Sequence, residues 1–269
     1  MRTERTRGHL VLAVAAVVLT SSVVAYLLLP IVVTVIGSLT SEPSLTFPPQ
    51  GFSLRWYGEF FSSPEWRRAA VNSLVIGGMA CAIATVVGTA LAYAITQQTG
   101  RIRDILLAAA LTPLVVPDVV VAVALYPLFA DWGLLNSRFG VALAHSVIGV
   151  PFVILSVLSA LRPEDLHLAS AARTLGATRS RAFFHVVLPL MLPGVVAGAT
   201  FAFAVSLDDV VMPLFLGGIQ GETLPKKMLE AVKETLDPTV MAISALIVAA
   251  GILMLLITQA SAMLRRTAD

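Results

Sequence analysis

Polar and charged positions in this 269-residue chain are confined to short intervals between long apolar runs. Leu10 to Ser41 holds no charged residue at all. Six stretches have the length and apolar character of a membrane-crossing helix, near 10–37, 70–96, 105–128, 141–161, 189–216 and 239–264. Crossing a bilayer takes roughly 20 apolar residues, because lipid offers backbone groups no partner outside their own helix. The pattern therefore predicts an all-α, polytopic membrane protein with six transmembrane helices in a single domain spanning 1–269. Arg2, Arg5 and Arg7 resemble the basic start of a secretion signal. The apolar run behind them far exceeds the roughly 7–15 residues of a signal core, so it reads as a retained first span.

Composition agrees with the pattern. The chain is 57% hydrophobic and 13% charged, against roughly 45–50% apolar and 25% charged in soluble domains. Lys and Arg in the connections set the expected orientation. With both ends inside, eleven arginines lie on the cytoplasmic side (2, 5, 7, 101, 103, 162, 173, 179, 181, 265 and 266). Seven basic residues lie outside (Arg55, Arg67, Arg68, Arg138, Lys226, Lys227 and Lys233). The chain has no soluble basic face of the kind nucleic acid requires. Its one cysteine, Cys81, excludes a disulfide framework or a cysteine-metal site, and the four histidines have no partner at metal spacing.

Two outer connections carry local signals. TSEPSLTFPPQ (40–50) reads as an extended connector. The next residues supply Trp56, Tyr57, Phe60, Phe61 and Trp66, a set expected to anchor at the membrane interface. In TLPKKMLEAVKETLDP (223–238), Thr223 and Pro225 predict a helix start. Leu224, Met228, Val232 and Leu236 form an apolar stripe with the charges opposite, suited to lying on a membrane surface or to docking an external partner.

Asp118, Asp208 and Asp209 fall at membrane depth. A carboxylate there costs on the order of 2.5–3.5 kcal/mol on insertion scales, so it normally faces a cavity. Counting from the inner span ends places Asp118 roughly 21 Å and Asp208 roughly 28 Å up, both towards the outer mouth. With no intramembrane Lys or Arg to pair them, they suit a cationic solute path. A helix-end cap (Asp118 follows Pro117) and an interface hydrogen bond with a partner subunit are the alternatives.

One basic, small-residue segment interrupts the apolar pattern, SAARTLGATRSRAFFHVVLP (170–189). Pro163, Glu164 and Asp165 open a helix whose stripe is Leu168, Ala171, Ala172 and Leu175, and Gly176 ends or bends it. A second short helix is expected over Ala177–Val186. Spacing alone leaves a plain surface loop and a docking surface equally open. The segment resembles the cytoplasmic coupling loop of ABC importer permeases, which reads E-A-A, three residues, G, nine residues, I, one residue, L-P. Ala171 and Ala172 match the paired alanines, Gly176 the glycine, Val186 the isoleucine and Leu188-Pro189 the closing pair. Ser170 stands where the family has Glu, and Arg173 follows the alanines. FSLRWYGEF, VPDVVVAVAL, SLDDVVMPLF and LPKKMLEAVKETLDP are further similar to the second permease of spermidine/putrescine importers.

The resemblance implies the permease fold of type I ABC importers, in a bacterial cytoplasmic membrane. It implies a homologous permease partner, two ATP-binding subunits docked on the coupling loop, and an external solute-binding protein. ATP and Mg would be bound by the ATP-binding partner, leaving no cofactor in this chain. Independently, no lysine follows a glycine, so the chain has no phosphate-cradling Gly-Lys loop and is not expected to be an enzyme. A polyamine is the solute the resemblance favours. Another small solute, or a proton-coupled carrier that works alone, is the alternative.

Overall fold

The computed structural model describes residues 2–43, 48–49, 51–161, 163–234 and 237–266, with side chains described for all of these except 2–13, 163–166 and 254–266. Helices dominate, and among the described residues extended pairing is limited to one isolated bridge between Thr40 and Phe52. Each of the six expected stretches is occupied by helix, though two of them are broken. Val14–Gly37, Pro64–Thr96, Arg138–Ala160 and Arg179–Asp208 are long and apolar enough to cross a membrane, and a bent pair makes a fifth if its halves act together. The described residues fall into two units, Arg68–Leu229 and the flanking residues on either side of it.

In the flanking unit, α1 (Arg2–Gly37) packs on α11 (Thr239–Arg266), which also meets α2 (Arg55–Ser62). Gly37 permits the approach: a Cβ there would lie 2.5 Å from the Met241 sulfur. The connector after α1 is tied by side chains. Ser38 and Tyr57 hydroxyls meet at 2.6 Å, and Trp56 Nε1 donates to the Thr40 carbonyl at 2.9 Å. Trp56 is consequently buried, Trp66 is buried as well, and Phe61 is exposed. The indole N–H needs an acceptor, and the connector supplies one more firmly than the headgroup region would.

The other unit is built on α3 (Pro64–Thr96), α6 (Arg138–Ala160) and α9 (Leu188–Asp208). Their shared core holds Ala84, Ala92, Val153, Ile154, Val157, Met191 and Ala202. Lipid-solvated helices gain little from burying apolar surface against one another, so small residues that allow close backbone approach decide the packing. Gly194 and Gly198, four apart on α9, serve this purpose. A Cβ at Gly198 would sit 2.6 Å from the Val153 Cα, and one at Gly194 would sit 2.6 Å from the Ser156 carbonyl oxygen.

The third expected span, 105–128, is not one helix. It is α4 (Gly100–Leu111), a 3₁₀ turn at Thr112–Leu114 and α5 (Asp118–Asp131), and the two halves bend by 96°. Pro113 and Pro117 explain the break. Each lacks an N–H and disfavours helix in the residue before it, so two of them four apart leave no room for a continuous turn. The fifth, 189–216, also stops early. α9 ends at Asp208, Asp209 is extended, and Pro213–Gly217 forms a separate π turn. At the other end of α9 there is no break. α7 (Pro163–Thr174) is followed by α8 (Arg179–Ala182), and a π turn at Phe183–Val187 joins α8 to α9 in one helical run.

α10 (Leu224–Glu234) forms over the predicted stripe, with Leu224 buried and Val232 exposed; Leu236 lies outside the described residues. Two details differ from expectation. The Thr223 hydroxyl is buried without a hydrogen bond among the described residues, and its carbonyl receives the Lys227 N–H instead. Lys226 is buried, not on a polar face, and its Nζ donates to the Gly218 carbonyl at 3.0 Å. A buried ammonium requires such acceptors.

Candidate functional site

The chain end of α7 is shaped by hydrogen bonding. The Ala177 N–H reaches back to the Ala172 carbonyl and the Gly176 N–H to that of Arg173, both at 3.0 Å. This is the paired bonding of a Schellman motif, and Gly176 occupies its left-handed position with φ +93°. The reversal directs the chain into α8, where the Thr178 hydroxyl caps the Arg181 N–H at 3.3 Å. Ala182 and Val187 are buried, and the Phe183 ring meets Tyr93 of α3 at 4.8 Å.

The rest of the segment faces outward. Ser170, Ala171, Arg173, Gly176 and Pro189 are exposed, and Ala172, Val186 and Leu188 are half-buried. On the predicted stripe, Leu168 is 52% and Leu175 89% exposed. An apolar helix stripe that its own chain leaves uncovered is a surface for contact.

The three aspartates are brought towards one region but do different things. Asp118 is the first residue of α5, just after the break at Pro117, and lies within electrostatic reach of Asp209. Asp208 is the last residue of α9. Both are exposed, and neither makes a hydrogen bond or ion pair among the described residues. The cap suggested for Asp118 is not formed, since the cap position is Pro117 and has no side-chain hydrogen bond.

Asp209 is engaged on both oxygens. Its Oδ1 accepts the N–H groups of Val211 (2.8 Å) and Met212 (3.4 Å), restarting the chain after α9. Its Oδ2 lies 3.1 Å from His145 Nε2, with both side chains buried. The other ring nitrogen, Nδ1, meets the Ser206 hydroxyl at 2.6 Å. The Nδ1–Ser206 contact is the hydrogen bond of this ring, whereas Nε2 and the Asp209 Oδ2 lie close without forming one among the described residues. His145 and Ser206 were missed by sequence reasoning, which sought metal partners for the histidines. The available signal was a titratable ring inside an apolar helix, which implies a buried polar partner.

The loop after Asp209 is held from below. Asn72 Nδ2 donates to the Gln220 and Glu222 carbonyls at 3.0 and 2.8 Å, and the Ser73 hydroxyl accepts the Leu224 N–H at 2.8 Å. Asn136, itself at φ 53°, accepts from Gln220 N–H at 3.1 Å. Among the described residues no group of His, Cys, Asp and Glu could hold a metal ion.

Residues 84–266, which include the outward-facing segment and all three aspartates, match the binding-protein-dependent transport system inner membrane component family. The chain belongs to this family. The resemblance read from residues 170–189 is thereby confirmed, and the permease is a multi-pass membrane protein. It is 32% identical to the spermidine/putrescine transport system permease protein PotC of Haemophilus influenzae, over 88% of this chain and 92% of that one. To the putrescine transport system permease protein PotI of Escherichia coli K12 it is 33% identical, over 84% and 82% of the two chains. The permease also shares its fold with a solved bacterial ABC transporter involved in the import of the acidic polysaccharide alginate. That likeness has a TM-score of 0.70 at 16% identity and covers 93% of this chain and 95% of the other.

Proposed function

We propose that the permease forms half of the solute path of an ATP-driven importer in the bacterial cytoplasmic membrane, and that its solute is a polyamine. Its partners are a homologous permease, two ATP-binding subunits that bind ATP and Mg and perform the hydrolysis, and an external solute-binding protein. The observation that carries the coupling role is the uncovered stripe of α7 ending in the Schellman turn at Gly176. Small residues there admit another protein's surface close to the backbone, and Leu175 supplies an apolar knob. With Ser170 in place of an acid, the contact rests on shape more than on charge. The helical run from Arg179 to Asp208 carries displacement of this segment into the membrane.

The polyamine reading rests on the relatives and on chemistry at the helix breaks. Asp208 stands at the C-terminal end of α9, where the helix dipole disfavours a negative charge. A carboxylate in that place without an ion pair is suited to a mobile cation, and Asp118 supplies a second. Asp209 holds the loop geometry instead.

Uptake of labelled spermidine and putrescine tests this reading. The host lacks its own polyamine importers and expresses the permease with its neighbouring transport genes. Saturable uptake that disappears when the ATP-binding subunit is inactivated is the expected result. An assembled, ATP-hydrolysing complex that moves neither amine overturns the substrate and leaves the permease role. Uptake that persists without the ATP-binding subunit overturns the coupling.

A further inference from the structure

The fold of the coupling segment creates a cavity on the side away from its exposed stripe. The cavity has a volume of about 710 Å³, and Tyr93, His167, Arg173, Arg179, Phe183 and Phe184 are among the residues that line it. The left-handed turn at Gly176 brings Arg173 of α7 and Arg179 of α8 to the same space. Neither guanidinium, nor the His167 ring, has an ion pair or hydrogen bond among the described residues. Two unpaired guanidinium groups facing one cavity repel each other and offer fork-shaped donors to an anion.

Helix geometry separates this cavity from the coupling surface. Leu168, Ala171 and Leu175 fall on one face of α7, whereas the cavity-lining Ala169, Ser170 and Arg173 fall on the opposite one and His167 lies at the border beside Ala171, at about 100° per residue. A partner seated on the stripe, reaching His167 and Ser170 at its borders, leaves the Arg173 side of α7 uncovered. Its position indicates the occupant. One wall is the end of α3 (Tyr93, Thr96 and Gln97) and another is the start of the apolar run that begins at Arg179. The cavity therefore sits where two membrane helices end, at headgroup level. Its volume lies within the roughly 300–1,000 Å³ of sites for whole small molecules, well beyond an inorganic phosphate. Phe184, 60% exposed, adds an aromatic wall that a soluble anion would not use.

We propose that this cavity binds an anionic phospholipid of the inner leaflet, with Arg173 and Arg179 on the phosphate, His167 as a further donor, and the aromatic rings against the glycerol and first acyl carbons. Basic pockets between membrane helices on the cytoplasmic side recognise such headgroups. The inference rests on the proposed orientation, which puts residues 162–188 on the cytoplasmic face. Its role is to tether the coupling segment to the membrane as the segment moves.

The test uses the whole assembly in detergent, titrated with phosphatidylglycerol or phosphatidylcholine and read by native mass spectrometry. The wild-type assembly is expected to retain one phosphatidylglycerol per copy of this chain. With about 1 kcal/mol for each basic residue near a membrane surface, Arg179→Gln weakens it about fivefold and Arg173→Gln/Arg179→Gln about thirtyfold. Binding of phosphatidylcholine stays weak in all three. The single variant suffices where the double one does not assemble. Equal phosphatidylglycerol affinity in wild type and variants overturns the site. Inorganic phosphate binding with the same dependence on the arginines overturns the lipid in favour of a soluble anion. Phosphatidylglycerol that binds only after the ATP-binding subunits are stripped away overturns it in favour of an acidic partner segment. Lipid retention is independent of transport, so failed uptake in a lipid-retaining assembly counts against the proposed function alone.

Discussion

Asp208 and Asp209 are neighbours with opposite circumstances. One is exposed at the end of a helix and pairs with nothing among the described residues; the other is buried and held by two N–H groups and a histidine. Substitution should separate them. Asp208→Asn leaves the assembly intact and lowers uptake at sub-saturating polyamine about tenfold, the scale of one charge-assisted contact. Unchanged uptake by the assembled variant would remove Asp208 from the path. For the buried pair the effect falls on stability. His145→Leu leaves the Ser206 hydroxyl and the Asp209 carboxylate buried without the ring between them and costs about 3 kcal/mol. Asp209→Asn retains an oxygen for Val211 and Met212 and costs about 1 kcal/mol. The apparent melting temperature of the purified assembly checks the order, and equal midpoints for the two variants would contradict it.

At the scale of elements, much of this molecule was legible before any coordinates. Six apolar runs gave helices because lipid leaves the backbone no alternative. The end of α7 at Gly176 was also readable, since only glycine adopts φ +93° without strain. The break between α4 and α5 was obscured because the apolar run continues straight through Pro113 and Pro117, and hydropathy does not register a missing N–H. The His145–Ser206 contact joins residues 61 apart on different helices, which no local pattern encodes. Gly194 and Gly198 were visible as residues, but their role depends on which helix faces them. A side chain at 198 must displace the Val153 backbone, so Gly198→Leu costs at least the roughly 1–3 kcal/mol typical of overpacking. Gly78 has open space at its Cβ, so Gly78→Leu is the control. Size-exclusion profiles after a heat step should show loss of the assembly for the first and retention for the second.

Over the whole molecule, apolar surface is distributed unevenly among the spans. In the most apolar window of α6, 61% of the residues are buried within the chain, and in that of α1 none are. A soluble protein could not sustain such exposure, but in a bilayer the same surface is solvated by lipid or by neighbouring subunits. The membrane architecture followed from composition, which reports on the solvent, whereas the family followed from the resemblance of one segment to a known motif and not from its spacing alone. The division of labour among the acids followed only from coordinates.

The π turn at Phe183–Val187 has a mechanical meaning beyond joining two helices. It keeps 30 residues, Arg179 to Asp208, in one helical run, about 45 Å long at 1.5 Å per residue. A rod of that length transmits phase as well as thrust. One residue inserted anywhere along it turns the Asp208 carboxylate by about 100° relative to the Arg179 end, while seven restore its heading to within about 20°. The direction in which a charge faces at one end of the rod is thus set by a residue count, in the way the hand of a clock is set by the teeth of its train.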